Sequence, residues 1–271
     1  MKKGINSNSL LKICGNNEFA MVDCVKTYGF DTLDLTVDGR YYPFDREPWS
    51  VVKKHYDDLY LHALSQGISF YQLHAKYVPF PDYLFADYFN LLKRTIRIAA
   101  CLHCPILVVH PLVFPLDKRR NLDEQEKLFN VTFFKKLIPC LKRYNVKIAL
   151  ENIYDWDEKK IRLIYVSQPR NLRNYIFDID SPLFGFCLDS GHLNLAGGNP
   201  ANAVKLYGER LFAVHLHDNH GATDEHLVPG RGTIHFTDLK EALRNIGFQG
   251  VCNFELKEFN PETDLPALER F

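Results

Sequence analysis

The stretch FAVHLHDNHGATDEHLVPGRG, residues 212–232, decides how this chain is read. It begins as an apolar strand pattern and turns polar at His215, His217 and Asp218. It closes on Pro229, Gly230 and Gly232, residues that favour a tight turn of the backbone. Strand residues two apart point the same way, so His215 and His217 share a face, and the pattern alone does not rank them. Either the stretch is a polar loop in water or it is one wall of a site.

Working outward, short apolar or β-branched runs alternate with longer segments of helical period. The runs are LLKI (10–13), TLDLTV (32–37), ISFYQLH (68–74), ILVVH (106–110), VKIALE (146–151), FGFCLD (184–189), LFAVHLH (211–217) and VCNFEL (251–256). Helical spacing links Val52, Tyr56, Leu59, Ala63 and Leu64 ahead of a capping Gly67, and links Leu84, Tyr88, Leu91, Leu92, Thr95 and Ala99. A helix is predicted over 122–144, shortened or kinked by Pro139, and another runs from an N-cap at Thr237 to Gly247. The tail KEFNPETDLPALERF is short for a full closing helix. Eight strand-and-helix units in 271 residues average about 34 residues each, which predicts an α/β fold, a (β/α)8 TIM barrel, as a single domain over residues 1–271. The competing doubly wound sheet lacks its G-x-G-x-x-G signature.

Lys plus Arg and Asp plus Glu are both 33, so no overall basic field draws in nucleic acid or an anionic membrane, although a local basic cleft is still allowed. There is no run of 18 apolar residues and no signal-peptide core, which points to a cytoplasmic protein. The 7 cysteines lack the dense spacing of a disulfide scaffold, and Cys101-x-x-Cys104 reads as small buried apolar residues.

A barrel places function at the C-terminal ends of its strands. There the runs end in His74, His110, Glu151 and Asp189; the last two carry His215, His217 and Asp218, then Glu255. His192 follows Asp189 by three residues, and Asp224 and His226 precede the glycine-rich turn. These are the residue types that ligate divalent metals and move protons near neutral pH. Buried carboxylates are costly without a cation or dense hydrogen bonding, which favours a metal role for Glu151, Asp189 and Glu255 with His215.

These segments resemble the xylose isomerase-like TIM barrels, a superfamily that joins sugar and sugar-phosphate isomerases and epimerases to the endonuclease IV type of abasic-site nuclease. The resemblance rests on LHA (73–75), VVHP (108–111), LEN (150–152), CLDSGH (187–192), VHLHD (214–218), DEHLVPGRG (224–232) and FEL (254–256). It implies a divalent-metal-dependent isomerase or epimerase of a small sugar or sugar phosphate, working by proton transfer through a metal-stabilised enediolate. Glu151, Asp189, His215 and Glu255 would hold the metal, Glu151 and Glu255 would serve as acid and base, and His192 would face substrate. Mn, Mg, Co or Zn would suit that donor set. The alternative it implies is a zinc phosphodiesterase acting on abasic DNA, with up to three Zn on His74, His110, Glu151, Asp189, His192, His215, Asp224, His226 and Glu255. A third reading is a barrel that binds sugar without turning it over. Lys76, Lys257 and Arg231 are candidates to meet a phosphate or carboxylate. The expected partner is the small molecule rather than membrane or nucleic acid, and a homo-oligomer is left open.

Overall fold

The computed structural model describes residues 1–78, 85–114, 122–157 and 160–270. Their core is a closed barrel of eight parallel strands. These are β1 (Lys2–Asn6), β2 (Thr32–Val37), β3 (Gln72–Ala75), β4 (Ile106–Val109), β5 (Lys147–Glu151), β6 (Phe184–Asp189), β7 (Leu211–Leu216) and β8 (Val251–Phe254). Each strand pairs with its neighbours in sequence, and β8 closes on β1. Helices cover the outside, so the strands are buried on both faces; TLDLTV of β2 is buried at all six positions.

Most sequence expectations hold. Trp49–Gln66 is a helix ended by Gly67, whose left-handed φ of 72° lets its N–H reach the Ala63 and Leu64 carbonyls. The predicted helix over 122–144 is two helices, Asp123–Lys135 and Ile138–Tyr144, with Pro139 in the first turn of the second, where its missing N–H costs nothing. Phe85–Cys101 is helical, whereas Leu84 lies outside the described residues. All seven cysteines are free thiols; Cys104 is buried and Cys101 half-buried.

Three expectations are corrected. LLKI (10–13) is not a strand: Asn6 accepts the Asn8 N–H and opens a 3-10 turn, Ser7–Leu10, that continues into the short helix Leu11–Cys14. The first strand is instead KKGIN, whose strand propensity is poor and whose hold comes from pairing with both β8 and β2. A Cβ on Gly4 would lie 2.4 Å from Thr32 Oγ1, so only glycine allows this close approach. Thr237 is not an N-cap, because it lies inside the helix Phe236–Asn245, whose N-cap is His235, two residues earlier. The tail does form a closing helix, Pro261–Arg270. A small antiparallel hairpin, Asp155–Asp157 with Lys160–Arg162, was not expected and follows β5 at the barrel mouth.

The register sets the site. Glu151 lies opposite Cys187, Asp189 opposite His215, and His215 opposite Asn253. Asp189, His215 and Asn253 thus stand abreast across β6 to β8, while Glu151 enters from β5 two residues lower in the register, level with Cys187.

Candidate active site at the mouth of the barrel

The stretch 212–232 folds as a strand and a loop that returns over the barrel. Asp218 organises the return: its carboxylate accepts the N–H groups of Asn219, Gly230, Gly232 and Ile234 at 2.8–3.1 Å. Asp218 and Leu227 also exchange both backbone hydrogen bonds at 2.8 Å. A Cβ on Gly232 would lie 2.4 Å from the Asn219 carbonyl oxygen, which is why glycine stands there. Residues 224 and 226 are thereby held over the strand ends.

The side chains named from the sequence do converge. Glu151 is nearly fully buried, with Oε2 3.2 Å from His74 Nε2 and 3.3 Å from His110 Nε2. Its other oxygen, Oε1, is 3.3 Å from His215 Nδ1 and 3.5 Å from His192 Nδ1. Glu255 Oε2 is 3.1 Å from the same His215 nitrogen. One donor atom each from Glu151, Asp189, His215 and Glu255 fall within 4.8 Å of one another. Donors about 2.0–2.2 Å from a shared ion can be no more than about 4.4 Å apart, so small side-chain adjustments suffice.

Hydrogen bonding aims the imidazoles. A carbonyl can only accept, so His74 donates Nδ1–H to Ala75, His192 to Asn152 and His226 to Glu255, at 2.7, 3.0 and 2.9 Å. In each ring this leaves Nε2 as the other contact atom: it meets Glu151 from His74 and Asp224 from His192 and His226. His215 is turned the other way: Nε2 meets the Asp34 carboxylate at 3.0 Å, leaving Nδ1 toward Glu151 and Glu255. Fixing the outer nitrogen of a histidine in this way is how proteins orient a metal-binding ring.

Asp189 caps the short helix Ser190–Leu195 by accepting the His192 N–H at 2.7 Å, and this cap places His192 beside it. His217 Nε2 is 2.9 Å from Asp189 Oδ1 and 3.0 Å from its Oδ2. The two rings His217 and His226 stack at 3.9 Å. His192, His217, Asp224 and His226 form a second compact donor group, so His217, read from the sequence as secondary, shares in this cluster.

The protonation of this cluster is strongly coupled to its charges. Burial alone would lower the His192 and His226 pKa values. Asp189, Asp224 and Glu151 overcome it at His192, raising that ring to about 10, and Asp224 and Glu255 raise His226 to about 9. Burial would raise Glu151 and Asp224, but neighbouring histidines hold both well below the usual carboxylate range. His110 goes the other way: burial prevails and its pKa is lowered.

Several buried polar atoms here make no well-aligned hydrogen bond, among them both ring nitrogens of His110, Nδ1 of His215 and of His217, and Oδ1 of Asp224, although His110 Nε2 and His215 Nδ1 stand close to glutamate oxygens. Orphans of this kind are rare in folded proteins, and here they gather where a cation and substrate oxygens would satisfy them. The donor set therefore fits a divalent metal.

The mouth encloses about 530 Å³, lined by residues that include His74, His110, Tyr154, His192 and Lys76. Of the three cations named from the sequence, only Lys76 lines this space. Arg231 lies apart from it as a half-exposed surface charge that pairs with Asp264 at 2.9 Å and donates to the Thr263 carbonyl. Sequence reasoning also missed Asp34, Asn152 and Tyr154. Tyr154 donates to Asp224 at 2.9 Å, and Asn152 exchanges hydrogen bonds with the Asp189 backbone at 2.9 and 3.0 Å. The one available signal was Asp34, a carboxylate in the middle of an otherwise strand-forming run.

The family model described as "Xylose isomerase-like TIM barrel" matches residues 22–269, and the chain belongs to that family. The inosose isomerase of Bacillus subtilis is 29% identical over 169 residues, 58% of this chain and 54% of its own length. This chain spans about half the length of the curated relatives it matches. The crystal structure of a D-tagatose 3-epimerase-like protein superposes with a TM-score of 0.81 at 26% identity, covering 100% of this chain and 96% of that one. The IOLI protein, solved with a bound zinc atom, covers the same shares with a TM-score of 0.78 at 21% identity, a likeness of fold. Among the described residues no helix is long and apolar enough to cross a membrane.

Proposed function

We propose that the chain is a divalent-metal-dependent isomerase or epimerase of a small sugar or sugar phosphate. The observation that carries the reading is the set of buried Glu151, Asp189 and His215 with half-buried Glu255, in which both glutamates flank His215 Nδ1 at 3.3 and 3.1 Å. The names of its relatives, an inosose isomerase and a D-tagatose 3-epimerase-like protein, support the substrate class.

These four residues would hold the metal, which supplies Lewis-acid stabilisation for charge developing on a substrate carbonyl oxygen. Glu151 or Glu255 takes the proton from the carbon next to that carbonyl, and the C–H electron pair passes into an enediolate. The second glutamate returns a proton to the same carbon from the other face, or to the neighbouring carbon. His192, fixed by Asn152 and Asp189, donates to a substrate oxygen through Nε2. Tyr154, which lines the mouth and is held by its hydrogen bond to Asp224, helps keep water from the intermediate.

The test is a panel of ketoses, inosose-like ketones and their phosphates, incubated in deuterium oxide with the metal-loaded protein. Deuterium should enter a single C–H position of one compound class, and Glu255→Gln should abolish the exchange. A Gln variant that exchanges as fast as the parent would refute the acid–base assignment.

A second reading, a multi-zinc phosphodiesterase, is favoured by one observation: the separate donor group His192, His217, Asp224 and His226, beside a further group of His74, Glu151 and His215. It requires three zinc ions per chain and metal-dependent nicking of an abasic oligonucleotide. The isomerase reading requires one tightly held ion and no nicking.

A further inference from the structure

A second cavity, larger than the mouth, lies away from it. It measures about 750 Å³, lies between the helices Phe85–Cys101 and Ile138–Tyr144, and shares no lining residue with the mouth. Lys93, Arg94, Arg97 and Arg143 line it, against two carboxylates, Asp45 and Asp87. In a chain with equal numbers of acidic and basic residues, this is a local excess of positive charge.

The cations differ in what already occupies them. Arg94 is engaged: its guanidinium donates to the Phe44 and Glu47 carbonyls. Lys93, Arg97 and Arg143 have no carboxylate within ion-pair distance among the described residues. Arg97 is also pre-set. Its guanidinium carbon lies 3.5 Å from the centre of the Trp49 ring, a cation–π contact that fixes the side chain. Its Nε–H is buried and has no acceptor. With no carboxylate beside it among the described residues, the part of this guanidinium that lines the cavity is open to a planar or tetrahedral oxyanion, the group that best matches a guanidinium edge. The space exceeds that of a lone ion, and Leu91, Pro139 and Tyr144 provide less polar walls for the rest of a ligand.

We propose that this cavity binds a small molecule bearing a phosphoryl group, held by Lys93, Arg97 and Arg143 and separate from the mouth of the barrel. A phosphate monoester carries close to two negative charges near neutral pH, which matches the net charge of the four cations, Arg94 included, and two exposed carboxylates that line the cavity. Cys140 lines the same cavity and reports on it. Burial raises its thiol pKa, while Lys93, Arg97 and Arg143 each pull it down.

The test uses the full chain with Trp156→Phe, which leaves Trp49 as the sole indole. Glycerol 3-phosphate should change Trp49 emission saturably, and the pair Arg97→Gln with Arg143→Gln should weaken binding about tenfold or more. Inorganic phosphate is the second probe; equal affinity for it would assign the cavity to the free ion, and weaker affinity to the ester. Because Arg97 packs on Trp49, Arg143→Gln and Lys93→Gln alone are measured too, and each should weaken binding. Alkylation of Cys140, followed by mass spectrometry, should slow with ligand in the parent and not in the double variant, with Cys14 unaffected. No saturation by about 10 mM of either probe, or undiminished affinity in the folded single variants, would overturn the proposal.

Discussion

His215 and Asp34 are both fully buried, and their Nε2 and Oδ2 atoms stand 3.0 Å apart beneath the mouth of the barrel. The same Asp34 oxygen accepts from Asn253 at 2.8 Å and from Gln72 at 3.0 Å, so three strands hold the carboxylate in place. Asp34 fixes which nitrogen of His215 faces the two glutamates. Asp34→Asn should therefore lower metal affinity by about 10- to 100-fold while the protein stays folded. Metal titration followed by calorimetry, alongside circular dichroism, checks this; unchanged affinity would remove Asp34 from the site.

Asp224 links Tyr154, His192 and His226 above the mouth. If the chain works with one ion, Asp224→Asn should keep the metal content of the parent and raise KM by about tenfold, with kcat less affected. Elemental analysis that finds ions lost from the variant would move the reading toward the multi-zinc alternative.

The charges of the cluster make stability depend on pH and metal together. In the metal-free protein His192 and His226 have pKa values raised to about 10 and about 9, above the ordinary 6.5. Their stabilisation is complete below pH about 6.5 and is lost as pH rises through those values. Glu151, Asp189 and Asp224 are depressed, so their stabilisation is present above pH about 4 and is lost as pH falls below it. Melting temperatures of metal-free protein should peak near pH 5 to 6.5 and fall toward pH 10. A divalent ion replaces protons, so its added stabilisation should grow from pH 6 to pH 8. Stabilisation that instead grows as pH falls would contradict this account.

Gly191 lies against the ring of His217, and a Cβ there would come 2.0 Å from Cε1 of that ring. Gly191→Ala should displace His217 from Asp189 and cost about 1–3 kcal/mol. Denaturant unfolding measures the loss, and a variant as stable as the parent would mean that the ring moves freely.

The barrel was legible because seven of its strands announce themselves by apolar runs, and because His74, Glu151, Asp189, His215 and Glu255 stand at or just past the ends of such runs. The first strand was not, since KKGIN has no strand pattern of its own and depends on partners far away in sequence. Spacing likewise placed Asp224 and His226 in a returning loop, yet it could not show that Asp218 ties that loop down. His217 was underrated because period two says only which face a side chain takes. Its contact with Asp189 depends on the register between β6 and β7. Tyr154 and Asn152 gain their roles through groups 70 and 37 residues away, beyond any local pattern.

His226 has a backbone φ of 47°, in the left-handed region that suits glycine or asparagine far better than an imidazole. Glycine at 226 would relieve about 1 kcal/mol of that strain. It would also delete the ring that meets Asp224 and stacks on His217. The contact with Asp224 and the stacking on His217 outweigh that strain near neutral pH, so glycine at 226 would leave the protein less stable there, and the relief would show only at a pH where the ring has lost its charge. The strained histidine is thus a backbone cost carried by the partners of its own ring, and durability at that position rests on the same contacts that shape the site.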